Sequence, residues 1–209
     1  MNRILNRKHT LAACCLGLAM VLLSAGCDVT SRKKDQQIRL DEKQAASRPS
    51  TPEQQGLDRM RSYRGKFEQR QGLDIRTHTK AKVAEVENAY QATLSNFGSP
   101  ECIAAHQKFI KQYPGFNRAG CALSELAGMS EFTNPETVQY YQECIQKYDD
   151  CYWGDGVQVG PFARLELAEC YKRTGQNARV EALYQEIKDQ YPDAIDHGGQ
   201  LLVDLIEKQ

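Results

Sequence analysis

The chain has 209 residues and carries 27 Lys and Arg against 27 Asp and Glu, so its formal net charge is zero. The charge is uneven, because residues 28–99 hold 14 basic and 10 acidic residues whereas residues 100–209 hold 10 basic and 17 acidic ones. An acidic C-terminal half argues against nucleic-acid binding, which needs a basic surface. The length predicts one folded domain that follows a tail.

The N-terminal segment has the features of a signal peptide. Three basic residues lie within the first eight positions, and an apolar run from Leu11 to Ala25 follows them. The run is shorter than the roughly 20 residues of a membrane-spanning helix. The stretch LLSAGC, which ends at Cys27, resembles a bacterial lipobox, although Ser24 stands where that motif prefers an aliphatic residue. We therefore expect a signal peptide over residues 1–26, lipidation of Cys27 and a membrane anchor, with an ordinary signal peptide or an uncleaved anchor as alternatives.

Residues 27–78 are polar and include Pro49 and Pro52, so we predict a largely disordered linker that starts at the lipidated cysteine. A weak helix over Pro52–Gln71 is the alternative. The lipid would place the protein in the bacterial cell envelope, with its domain facing the periplasm or the outside. Whether the membrane is the inner or the outer one stays open.

From Thr79 onwards, apolar residues recur at spacings of three and four, which is typical of helices that bury one side. Gly, Pro and Asn residues divide this part into helical hairpins, since Pro100 and Pro135 suit first helical turns. The predicted hairpins are Thr79–Tyr113, Arg118–Tyr148 and Pro161–Tyr191, and the predicted last helix is Ala194–Lys208. The second and third hairpins are separated by an insertion, Cys151–Gly160.

The third hairpin resembles a tetratricopeptide repeat (TPR), a unit of 34 residues. Leu167, Ala168 and Tyr171 match the pattern in the first helix, and Tyr184 and Pro192 match it in the second. Two residues, Arg164 and Val180, do not match the pattern. The resemblance implies an all-α fold for residues 79–209, a short TPR-like solenoid of about three hairpins with a C-terminal capping helix. In its order of segments the chain is similar to the TPR lipoproteins of envelope-assembly machineries.

This resemblance implies a non-enzymatic scaffold that binds a protein or peptide in a concave groove. The groove residues that it implies lie on the first helix of the third hairpin: Phe162, Leu165, Glu169, Lys172 and Arg173. The alternative makes Phe162 and Leu165 core residues and the other three plain surface. Within the insertion, Tyr152 and Trp153 form either a partner-binding anchor or a plug between hairpins.

No catalytic, metal or cofactor motif stands out in the sequence. The histidines after residue 27 have no metal-ligand spacing, and no phosphate-binding glycine loop is present. We therefore expect no enzymatic activity, no cofactor and no metal, and the oligomeric state stays open. A thiol-based redox protein or other envelope enzyme is one rival hypothesis, and a purely structural spacer is another.

Five cysteines remain after Cys27, which leaves at least one free thiol. Cys121 and Cys144 lie at similar distances from the turn of the second hairpin, so they would sit at the same height in two antiparallel helices. We therefore predict a disulfide between them, with a packing role for Cys144 as the alternative.

Overall fold

A computed structural model describes residues 34, 37 and 50–208, and residues 50–209 form one compact unit. Residues 50–208 form helices and turns without a β-strand, apart from two isolated antiparallel bridges. The helices are α1 (Pro52–Thr77), α2 (Lys80–Thr93), α3 (Pro100–Gln112), α4 (Asn117–Gly128), α5 (Pro135–Lys147), α6 (Val159–Arg173), α7 (Asn177–Gln190) and α8 (Leu202–Glu207). No helix of the described residues is long and apolar enough to cross a membrane. The predicted signal peptide and Cys27 lie outside the described residues.

Side-chain caps explain where several helices begin. The side chains of Thr51, Thr79, Ser99 and Asn134 each accept a hydrogen bond from a backbone N–H in the first turn of the helix that follows. Three of these helices also begin with proline, whose missing N–H costs nothing at that position. The predicted starts at Pro100 and Pro135 are confirmed.

The helices pack as a TPR-like solenoid, which confirms the predicted fold class. Each helix from α1 to α8 packs against the next one, so α2–α3, α4–α5 and α6–α7 form antiparallel hairpins. The first helices of successive hairpins also touch, α2 against α4 and α4 against α6. Small and aromatic residues fill the core, with Ala122, Tyr141 and Ile187 at most 1% exposed.

The predicted disordered linker is wrong for residues 52–77, because α1 is an ordered part of the compact unit. The backbone N–H of Asn117 donates to Asp74 over 2.9 Å, and Arg59 donates to the carbonyl of Gly199 over 2.6 Å. Arg70 bridges to Asp150, the residue just before the insertion. Helix α1 therefore packs across the connections that precede α4, α6 and α8. These three contacts are polar and join residues far apart in sequence, so the hydrophobic pattern did not reveal them.

The predicted last helix is also too long, because residues 194–201 form a turn instead. Ile195 pairs with Leu201 in an antiparallel bridge, and the carboxylate of Asp196 accepts the N–H groups of Gly198 and Gln200. Gly199 has φ of 74°, a conformation that suits glycine. The helix therefore begins only at Leu202.

Candidate functional site

The insertion folds back onto the start of α4. The side-chain amide of Asn117 donates to the Tyr152 carbonyl and accepts the Tyr152 N–H, both over 2.8 Å. The thiol of Cys121 lies 3.4 Å from the same carbonyl oxygen. These contacts hold the insertion between α4 and α6, where a TPR-like groove would otherwise be open.

Trp153 plugs that groove and is only 7% exposed. Its indole N–H donates to Glu125 on α4 over 3.0 Å. Its ring meets the ring of Phe162 edge-on at 5.6 Å and that of His197 at 4.9 Å. The prediction of an exposed anchor at Trp153 is therefore wrong and the plug interpretation describes the structure, while Tyr152 is half-buried.

Glu125 is the polar centre of this region. Besides Trp153, its carboxylate accepts the Tyr90 hydroxyl over 2.5 Å and lies 3.1 Å from Nε2 of the fully buried His106. Burial, first of all, and this carboxylate raise the pKa of Tyr90, so the phenol stays a donor. One side chain thus joins α2, α3, α4 and the insertion. Sequence analysis missed it, because a lone Glu on a helix is usually solvated.

The cluster of Cys102, His106 and Glu125 is the nearest thing to a catalytic arrangement in residues 50–208. The Cys102 sulfur lies 3.6 Å from Nδ1 of His106, four residues further along α3, and Glu125 faces the other ring nitrogen. However, Nδ1 also lies 2.9 Å from the Cys102 carbonyl oxygen. A carbonyl only accepts, so Nδ1 carries the hydrogen and is not a base for the thiol. Cys102 is also 2% exposed, so the arrangement is a buried network without substrate access.

The five cysteines from Cys102 to Cys170 are all buried. All five from Cys102 to Cys170 are free in the structure, so the predicted Cys121–Cys144 disulfide is not formed there. The Cys121 thiol donates to the insertion instead, and Cys144 is a small core residue at 0% exposure. Burial raises the pKa of Cys151 to about 12 and of Cys170 to about 11. Little thiolate is then present near neutral pH, which disfavours the thiol-enzyme hypothesis.

The residues expected to line a groove divide into two groups. Phe162 is half-buried beneath Trp153 and His197 and belongs to the plug. The other four form a partly open surface, which we call the α6 ridge: Leu165, Glu169, Lys172 and Arg173. Arg173 donates to Glu169 over 2.8 Å and lies over the ring of Phe132, at 5.5 Å from its centroid. The ridge thus combines a half-buried leucine with paired charges.

Arg164 explains one departure from the TPR pattern. Its guanidinium is buried, bridges Asp149 over 2.5 Å and Glu186 over 2.9 Å, and lies over the Tyr191 ring. An arginine therefore fills the position of the usual aromatic residue by pairing with carboxylates from two other segments. Nothing in the local sequence identified those partners.

A family model for the tetratricopeptide repeat matches residues 162–194, the stretch that contains α7 and most of α6. The chain therefore contains a tetratricopeptide repeat, of the class of helical modules that generally bind proteins and are typically non-enzymatic. No curated protein and no solved structure matches the chain.

Proposed function

We propose that this protein is a lipid-anchored scaffold of the bacterial cell envelope that binds a protein or peptide partner through the α6 ridge. The tetratricopeptide repeat at residues 162–194 carries the binding part of this proposal. The LLSAGC stretch before α1 supports the anchor, with Cys27 as the acylated residue. No reaction is part of the proposal, since the thiols are buried and the histidine network is closed.

The ridge is favoured because the rest of the groove is filled by the chain itself. Trp153 covers Phe162, whereas Leu165 and Glu169 are half-buried and Arg173 is exposed. A partner with an apolar side chain for Leu165 and polar groups for the Glu169–Arg173 pair would fit this surface. Such a mixture gives affinity from the apolar contact and selectivity from the charges.

The anchor and the folded unit are separated by enough chain to act as a tether. Residues 28–51 precede α1, and 24 residues of fully extended chain would reach at most about 86 Å. A lipid at Cys27 would therefore hold the ridge near the membrane and leave it free to reach a partner there. A single acyl chain binds only marginally, so more than one is needed for stable anchoring.

Replacing Leu165 and Arg173 together by Glu is expected to reduce partner binding at least about tenfold, because it puts charge on the apolar contact and reverses the cation. Capture from detergent-solubilised membranes identifies the partner, and titration with the purified partner measures affinity. The matched control is Ala182→Glu with Lys147→Glu, two exposed positions on α7 and α5, and Lys147 pairs with a glutamate four residues away as Arg173 does. Equal partner affinity for the ridge variant and this control would refute the ridge, and loss only in Trp153→Ala would move the site to the insertion.

Replacing Cys27 by Ser is expected to release the protein from membranes or to stop its processing, because the acylated thiol would be missing. Membrane fractionation and the mass of the mature chain test this outcome. Cys14→Ser is the matched control, since Cys14 lies in the predicted signal peptide and would leave with it. Normal processing and membrane retention of the Cys27→Ser variant would show that the protein is not a lipoprotein.

A further inference from the structure

An apolar groove runs between the helices of the first hairpin. It has a volume of about 270 Å³, and its lining residues all belong to α2 and α3 or lie at the end of α3. The lining includes Ala89, Ala92, Ala105 and Phe109, with Lys108 and Gln112 among its polar members. Alanines leave room for the backbone of another helix to approach closely.

An exposed aromatic residue lies at the end of the same hairpin. Phe97, in the turn between α2 and α3, is 61% exposed, the highest value among the large hydrophobic residues of the described chain, and Leu94 beside it is 37% exposed. The turn itself is built on positive φ angles, 54° at Asn96 and 83° at Gly98. An exposed phenyl ring at the end of a hairpin that carries an apolar groove is a feature of interaction surfaces.

The exposed face of α3 is complementary to itself. Glu101, Ala104, Ala105 and Lys108 lie at helical spacings along one side of α3. When two copies of α3 pair antiparallel about the midpoint of the two alanines, Glu101 of each copy faces Lys108 of the other. Neither residue forms a salt bridge among residues 50–208, so both charges remain available for the pairing.

We propose that a second copy of this chain binds the exposed face of α3, in a two-fold symmetric dimer formed by antiparallel pairing of the α3 helices. Ala105 and Lys108 belong both to this face and to the groove, so the second copy covers the α3 side of the groove. Because Glu101 and Lys108 are equally far from the midpoint of the two alanines, a second copy of α3 presents the opposite charge at both ends, as a two-fold symmetric interface requires. The dimer depends neither on the lipid at Cys27 nor on the α6 ridge.

Crosslinking of the full-length chain in its native membranes tests the dimer directly. In Ala104→Cys the two new thiols lie next to the symmetry axis, so a short bismaleimide is expected to give a covalent species of twice the monomer mass. The matched control is Ala182→Cys, an exposed alanine on α7. Monomer alone from both variants, or equal dimer from both, would overturn the proposal. A product that joins the new thiol on α3 to a different protein would overturn it as well.

Reversing the charges of Glu101 and Lys108, first singly and then together, tests whether these two residues face each other in the dimer. Glu101→Lys and Lys108→Glu are each expected to weaken dimerisation about tenfold, or about 1.4 kcal/mol, because symmetry changes two ion pairs at once. The double variant restores opposite charges and should recover the affinity. Lys147→Glu on α5 is the control, and sedimentation velocity of the detergent-purified full chain gives the constants. A double variant as weak as the single ones would exclude this pairing of α3.

Discussion

Replacing Glu125 by Ala is expected to lower the free energy of unfolding by about 2–6 kcal/mol, because each of two buried donors left without an acceptor costs about 1–3 kcal/mol. The change leaves two donors without their acceptor, the Tyr90 hydroxyl and the Trp153 indole N–H, and removes the contact with Nε2 of His106. Tyr90 is 3% exposed and His106 is 0% exposed, so water cannot replace the carboxylate without rearrangement. Because Glu125 joins α2, α3, α4 and the insertion, its replacement should weaken the packing of all four together.

Urea unfolding followed by tryptophan fluorescence measures this effect, since Trp153 is the only tryptophan in the chain and contacts Glu125 directly. Glu131→Ala, which removes an exposed carboxylate just after α4, is the control and should change the free energy of unfolding by less than about 0.5 kcal/mol. Glu125→Gln keeps an acceptor for Trp153 and should fall between the two. A loss below about 1 kcal/mol for Glu125→Ala would show that the network contributes little.

Replacing Gly156 by Ala is expected to destabilise the protein by about 2–4 kcal/mol and to loosen α1 in particular. Gly156 has φ of 92°, which side chains rarely adopt, and a Cβ there would lie 2.6 Å from Cβ of Tyr63 and 2.8 Å from its backbone carbonyl carbon. The backbone of α1 cannot move away from the added Cβ as the end of a flexible side chain could. The added methyl group therefore forces α1 and the insertion apart.

Hydrogen exchange resolved along the chain tests this prediction. Exchange should rise across α1, residues 52–77, and in the insertion, while the α4–α5 hairpin keeps most of its protection. Gly154→Ala is the matched control, because a Cβ at this position of the same insertion meets nothing within 4 Å. If both variants show equal exchange in α1, the contact between Gly156 and Tyr63 does not hold that helix.

The sequence by itself determined the helical hairpins and the repeat. Capping residues and prolines define helix starts locally, so Ser99-Pro100 and Asn134-Pro135 were readable without tertiary contacts. Apolar spacing showed which sides of α6 and α7 face a core, and the tetratricopeptide resemblance followed from that spacing. These features depend on residues close in sequence, where propensity and periodicity act.

Only the tertiary structure decided what covers each surface. Helix α1 is held by polar contacts such as that of Asp74 with Asn117, 43 positions away, and such contacts leave no periodic apolar signal. The sequence left Trp153 as either an anchor or a plug, because it does not show that Glu125 supplies a buried acceptor for its N–H. Arg164 looked like a defect in the repeat because its partners Asp149 and Glu186 lie on other segments. Buried polar groups need partners in space, and those partners can come from anywhere in the chain, so the filling of the groove was settled by folding and not by local pattern.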